Sequence, residues 1–215
     1  MVVAGVTLLL RWHPGPDPLP TRPTIYEDGH YTFMATQPGD PTTPVTYDHC
    51  TPLVVTMNPA DGPPEGERVL RHVIEVVAQV SGFTIRWGGV TGHRPADLPE
   101  YGPIEVSWTD QAETDGMTRE IAGLGGSRAV ATTGQRRWYS TGHIMLSKPY
   151  FHLLSQRGDE ASMQMVMTHE LGHVLGLGHV TQVDAVMAAS GSEATTLGHG
   201  DLSGLAVLGT QPCRH

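Results

Sequence analysis

Apolar residues recur along this chain with two distinct periods, and the periods divide it into elements. LVVTMN (53–58) alternates weakly and is rich in β-branched residues, as a strand would be. In PPEGERVLRHVIEVVAQVSG the positions Val69, Leu70, Val73, Val76, Val77 and Val80 keep a helical period, and Gly82 ends the run. FTIRWGG (83–89) puts Phe83, Ile85 and Trp87 on one face of a strand, and IEVSWTD (104–110) does the same with Ile104, Val106 and Trp108. The glycine-rich AGLGGS (122–127) reads as a turn leading into SRAVATT and GHIMLSKPY, both strand-like. GDEASMQMVMTHELGHVLG then returns to the helical period. Asp159 or a neighbour caps it, Met163, Val166, Met167, Val174 and Leu175 form its stripe, and Gly176 stops it. DLSGLAVLG (201–209) predicts a short final helix. Strand, helix and four further strands imply an α+β sheet with a helix packed on it.

The N-terminal part is different. Residues 13–48 are dense in breakers, and only TIYEDGHYTFMA suggests a hairpin, around Asp28-Gly29. Residues 1–46 therefore read as an extension, or as a truncated signal and linker, and 47–215 as the main domain. The apolar run Val2–Leu10 is too short to span a bilayer. It has the length of a signal-peptide core but no basic segment before it, so a clipped secretory signal and a buried strand both remain open. With 26 glycines and 17 prolines the chain favours turns and long loops over a helical bundle. A net charge of -9 without a Lys/Arg cluster argues against a nucleic-acid surface. Lys148 is the sole lysine, which argues against lysine chemistry. Cys50 and Cys213 could close a very long loop as a disulfide or stand as two thiols.

The candidate chemistry lies in THELGHVLGLGH (168–179). His169 and His173 are four residues apart on the predicted helix, so both imidazoles share a face. Gly176 lets the backbone leave the helix and bring His179 round as a third ligand. Three neutral imidazoles with an open fourth position form the catalytic arrangement for zinc. Glu170, beside the first ligand, can take a proton from a water that the metal has acidified. By composition alone this spacing would occur with odds on the order of one in ten thousand, so the motif outweighs an isolated histidine pair. Neither a G-x-S-x-G elbow nor a phosphate-binding glycine loop is present.

HELGHVLGLGH resembles the zinc signature of the metzincin peptidases, and more narrowly of the matrixins. Met187 in DAVMAA, eight positions after His179, matches their methionine turn, and Asp201 and Gly204 match their final helix. The resemblance implies a metzincin-type zincin fold: a twisted, mainly parallel five-stranded sheet, two long helices, and a small C-terminal subdomain over about 180–215. It implies zinc held by His169, His173 and His179, with Glu170 as general base and Met187 supporting the metal from below. Gly142, His143, Ile144, Met145 and Leu146 resemble the edge strand that pairs with an extended peptide or protein substrate. The loop 188–200 would wall the pocket for the residue after the cut. The family often binds calcium or a second zinc; His143, His152 and the carboxylates between 109 and 120 are the candidates, but their spacing assigns none. Three features depart from the pattern. Met187-Ala188-Ala189 replaces Met-x-Pro, Val180 follows the third histidine, and no cysteine-bearing segment that could cap the metal is found.

Two rivals to a zinc endopeptidase remain at this point: a zinc-containing binding module that no longer hydrolyses peptides, and a hydrolase of small amides. The intact Glu170 opposes the first. The run of methionines at 163, 165 and 167 and the tryptophans Trp12, Trp87, Trp108 and Trp138 read as packing groups. The family's habit and the signal-like start imply secretion, and the Arg-over-Lys bias suggests a bacterial source.

Overall fold

The computed structural model describes residues 18–93, 99–131, 136–189 and 194–214. The apolar run Val2–Leu10, Trp12 and positions 190–193 of the predicted pocket loop lie outside the described residues.

A short hairpin, β1 (Thr36–Gln37) with β2 (Asp40–Pro44), comes first. The predicted hairpin at Asp28-Gly29 is instead a single turn, closed by Gly29 N–H donating to Tyr26 O at 3.1 Å. Its flanks do not pair with each other because they bind elsewhere: Tyr26 N–H donates to Ser203 Oγ, and Phe33 bridges Leu177.

The main sheet contains β3 (Leu53–Met57), β4 (Ile85–Val90), β5 (Ile104–Thr109), β6 (Gly123–Ala131) and β7 (Arg137–Ser147), in the spatial order β4-β3-β5-β7-β6. All neighbours run parallel except the β6–β7 pair. Parallel neighbours need crossovers. One of them is α1 (Gly66–Ser81), whose buried face carries Val69, Leu70, Val73, Ile74, Val77 and Val80, as the helical period predicts. Trp108 fills the space beneath its start, against Gly62 and Gly66, where any Cβ would collide with the indole.

Two expectations change here. Gly142–Leu146 is not an edge strand: β7 is paired on one side with β5, from Ile104↔Gly142 to Trp108↔Leu146, and on the other with β6. The edge is β6, and AGLGGS is its opening rather than a turn. A further helix, α2 (Lys148–Arg157), occupies the stretch read as the end of a strand, with Pro149 in its first turn and Gly158 capping it at φ 65°.

Helix α3 (Glu160–Leu175) is the second long helix. The Asp159 side chain caps it by accepting from Ser162 N–H, and Gly176 ends it. Helix α4 (His199–Gly209) starts two residues earlier than the sequence suggests and packs its buried side in the C-terminal subdomain. The result is the metzincin zincin architecture: a mostly parallel sheet, two long helices, and a small helical C-terminal part. A disulfide joins Cys50, just before β3, to Cys213 in the tail, across 163 positions. Among the described residues no helix is long and apolar enough to cross a membrane.

Candidate metal centre

The last two turns of α3 carry His169, Glu170 and His173. At Gly176 the backbone adopts φ 125°, a conformation that side-chain-bearing residues rarely take, and the chain turns sharply. Gly176 N–H still donates to Gly172 O, at 3.0 Å, and Leu177 N–H does the same at 2.9 Å. That turn returns His179 to the helix.

Residues 32–34 hold the returning segment in place. Gly178 N–H donates to Thr32 O and Met34 N–H to Gly176 O, both at 2.8 Å. The Thr32 hydroxyl donates to the His179 carbonyl, also at 2.8 Å. A side chain at Gly178 would collide with Thr32 and Phe33. Nothing in the N-terminal sequence signals this clamp, because strand addition is made by backbone groups.

The three imidazoles converge. The His179 Nε2 atom lies 3.1 Å from His173 Nε2 and 3.2 Å from His169 Nε2. The other nitrogen of each helical ring is committed: His169 Nδ1 donates to Val186 O at 2.7 Å, and His173 Nδ1 to Leu177 O at 2.8 Å. A carbonyl can only accept, so these Nδ1 atoms carry the proton and the Nε2 lone pairs face one another. Tetrahedral zinc–nitrogen bonds of about 2.0–2.1 Å would separate such atoms by about 3.3 Å. The donor set therefore fits zinc. Burial reinforces it, holding the His169 pKa below its usual value and pushing His173 down to about 4.

Glu170 is 5% exposed. Burial raises its carboxyl to about 7, against the Gly125 N–H, which donates to it and favours the ion. Gly123 and Gly125 of β6 face this side chain: a Cβ on Gly123 would come within 2.7 Å of Glu170 Cγ, and one on Gly125 would strike the Glu170 backbone carbonyl. The two glycines let the edge strand lie directly over the carboxylate. Their alternate spacing was the available signal, obscured because glycines carry no apolar alternation.

Met187 packs its sulfur on Gly172, between the two helical ligands, where a Cβ would approach to 2.7 Å. Asp201 holds that turn. Buried at 2% exposure, it accepts from Val186 N–H at 2.9 Å, Met187 N–H at 3.1 Å and Gly198 N–H at 2.9 Å. Val186 in turn orients His169, so Asp201 reaches the first ligand through one peptide unit. Ala189, at the position where a matrixin usually has proline, donates its N–H to Val180 O at 3.1 Å, and Val180 N–H donates to Met187 O at 2.9 Å. A hydrogen-bonded ladder thus closes the turn, a bond that proline could not make.

His143 and His152 lie on β7 and α2 and form no cluster with the carboxylates between 109 and 120; Asp110 and Glu113 pair instead with Lys148. Among the described residues two groups of ligand-type side chains converge: the histidine triad, and Asp48, His49, Cys50 and Cys213.

A buried general base beside three converging imidazoles, on this fold, defines a zinc-dependent metallopeptidase of metzincin type. The Matrixin family profile matches residues 93–208, more than half of the chain, and the protein belongs to that family. It is a zinc metalloendopeptidase with Glu170 as general base. No curated protein gives a significant match. Among solved structures, the chain is similar to the archaemetzincin of Methanopyrus kandleri at 16% identity and TM-score 0.49, covering 74% of this chain and 94% of that one. It is also similar to the archaemetzincin of Archaeoglobus fulgidus complexed with malonate, at 13% identity and TM-score 0.46, covering 72% and 99%.

Proposed function

We propose that the substrate is an extended peptide or protein segment, laid along the free edge of β6 and cut beside Glu170. The observation that carries this reading is the placement of β6: its outer edge has no strand partner among the described residues, and Gly123 and Gly125 bring it against the catalytic carboxylate. Strand addition would bind the peptide through main-chain hydrogen bonds, which suits many sequences. In this reading the 188–200 loop would wall the position of the residue after the cut, and Met187, packed on Gly172, would support the histidines from below.

His169, His173 and His179 hold the metal. When bound, zinc supplies Lewis acidity that polarises a scissile carbonyl and acidifies water. Glu170 takes the proton from the attacking water and delivers it to the departing nitrogen. The Cys50–Cys213 disulfide supports an exported enzyme, as such bonds persist in oxidising compartments.

The test is cleavage of a quenched-fluorescent peptide library by wild type and Glu170→Ala at matched zinc occupancy. Turnover of extended peptides, lost in the variant, is expected. Zinc retention with cleavage confined to single-residue amides would refute docking along the edge strand.

A further inference from the structure

We propose that Cys50 and Cys213, when reduced, form with His49 and Asp48 a second zinc site, separate from the histidine triad. One ligand atom from each of the four lies within 4.8 Å of all the others. The His49 Nε2 atom sits 3.6 Å from Cys50 Sγ. Around one tetrahedral zinc with bonds of about 2.3 Å to sulfur and about 2.0 Å to nitrogen, these two atoms would be about 3.5 Å apart. The sulfurs need to separate only to about 3.8 Å, less than 2 Å beyond their bonded distance.

His49 supplies the second observation. Its Nδ1 is buried without a hydrogen-bond partner among the described residues, and its Nε2 faces the neighbouring sulfur. An imidazole placed for packing or for a polar network is normally satisfied. This one is directed at sulfur. Asp48 is already oriented: its carboxylate accepts from Cys50 N–H at 3.1 Å and from the Thr51 hydroxyl at 3.2 Å. Two thiolates, an imidazole and a carboxylate form a donor set that selects zinc over calcium or magnesium.

The thiol form exists in every chain before the bond closes, and a phosphine regenerates it. The phosphine attacks the disulfide and is oxidised to its oxide with oxygen from water, while the two protons of that water go to the sulfurs. Zinc then displaces both thiol protons. Oxidation and metal binding are mutually exclusive here, so the cluster holds either a covalent link or a metal link between β3 and the tail.

The test uses the full chain with zinc already at the triad. Protein reduced with a phosphine without oxygen, and unreduced protein, are titrated with Co²⁺ and read by the thiolate-to-cobalt charge-transfer band, which a three-histidine site cannot produce. The reduced form should develop the band with saturation at one equivalent, lose it on adding Zn²⁺, and show a midpoint at least tenfold higher in His49→Ala. The unreduced form should show none. Absence of the band from reduced protein, or an unchanged midpoint in His49→Ala, would overturn the proposal. If reduction alone unfolds the chain, one added equivalent of Zn²⁺ should restore the native circular dichroism; failure to restore it would equally overturn the site.

Discussion

Glu170→Gln keeps the shape of the catalytic side chain and removes its charge, so it separates what the carboxylate costs the fold from what it gives the reaction. In the zinc-free protein burial holds the Glu170 carboxyl at about 7, against an ordinary 4.5. As pH rises from 4.5 the unfolded chain releases this proton first. Stability is therefore highest below that pH, falls as pH rises, and has lost the whole contribution once Glu170 ionises in the folded protein too. At about 1.4 kcal/mol per pH unit between the two pKa values, the loss is about 3 kcal/mol. Glutamine has no such loss. Chelator-stripped Glu170→Gln should therefore exceed wild type by about 3 kcal/mol near pH 8 and match it near pH 4, a melting difference of about 6–12 °C at the higher pH. The assay is thermal unfolding followed by circular dichroism at both pH values. Histidine contributions are common to both proteins and cancel in the difference. Restoring zinc should shrink the gap, since a nearby cation favours the carboxylate. A difference independent of pH, or a wild type more stable near pH 8, would refute the reasoning.

Other consequences are equally open to measurement. Asp201→Ala leaves the Val186, Met187 and Gly198 amides without their acceptor; it should cost about 2–4 kcal/mol in urea unfolding and about 10–100-fold in zinc affinity by chelator competition. Gly125→Ala should lower kcat/KM by about 100-fold or more by displacing Glu170, whereas Gly92→Ala, off β6 and with nothing among the described residues within 4 Å of the added carbon, should leave it unchanged. Acid should release zinc only well below the ordinary histidine value near 6.5, because burial holds the His169 and His173 pKa values down and weakens proton competition for the metal; dialysis at stepped pH with metal analysis checks this. Cys213→Ser should destabilise the oxidised protein by about 2–5 kcal/mol in denaturant unfolding.

The metal ligands were legible because they lie on one helix and one turn, where spacing alone fixes geometry. The same holds for α1, whose valines repeat at the helical period, and for the Asp159 and Gly176 caps. Strand order is not local. GHIML, apolar and β-forming, looks equally suitable at an edge or inside, and its pairing with both β5 and β6 decided the matter. Helix α2 was missed because Pro149 reads as a breaker, although a first-turn proline loses no helical bond, and because Phe151 and Leu154 are its only buried residues. Asp201 was visible as the start of a helix. Its bonds to the methionine turn are not, since they join side chain to backbone across 14 and 15 positions.

The clamp of residues 32–34 along 176–179 orders events in the life of the chain. The Thr32 hydroxyl and the His179 carbonyl are 147 positions apart, so the whole span from 32 to 179 must be made before the third ligand can be braced. A contact of such separation has to close a long loop, an entropic cost that a local helix does not carry. A nascent chain can display His169 and His173 on a formed helix while still lacking a fixed third arm. Bracing of the third imidazole therefore waits on closure of that span, and a copy in which it has not closed is poorly equipped to cut its neighbours.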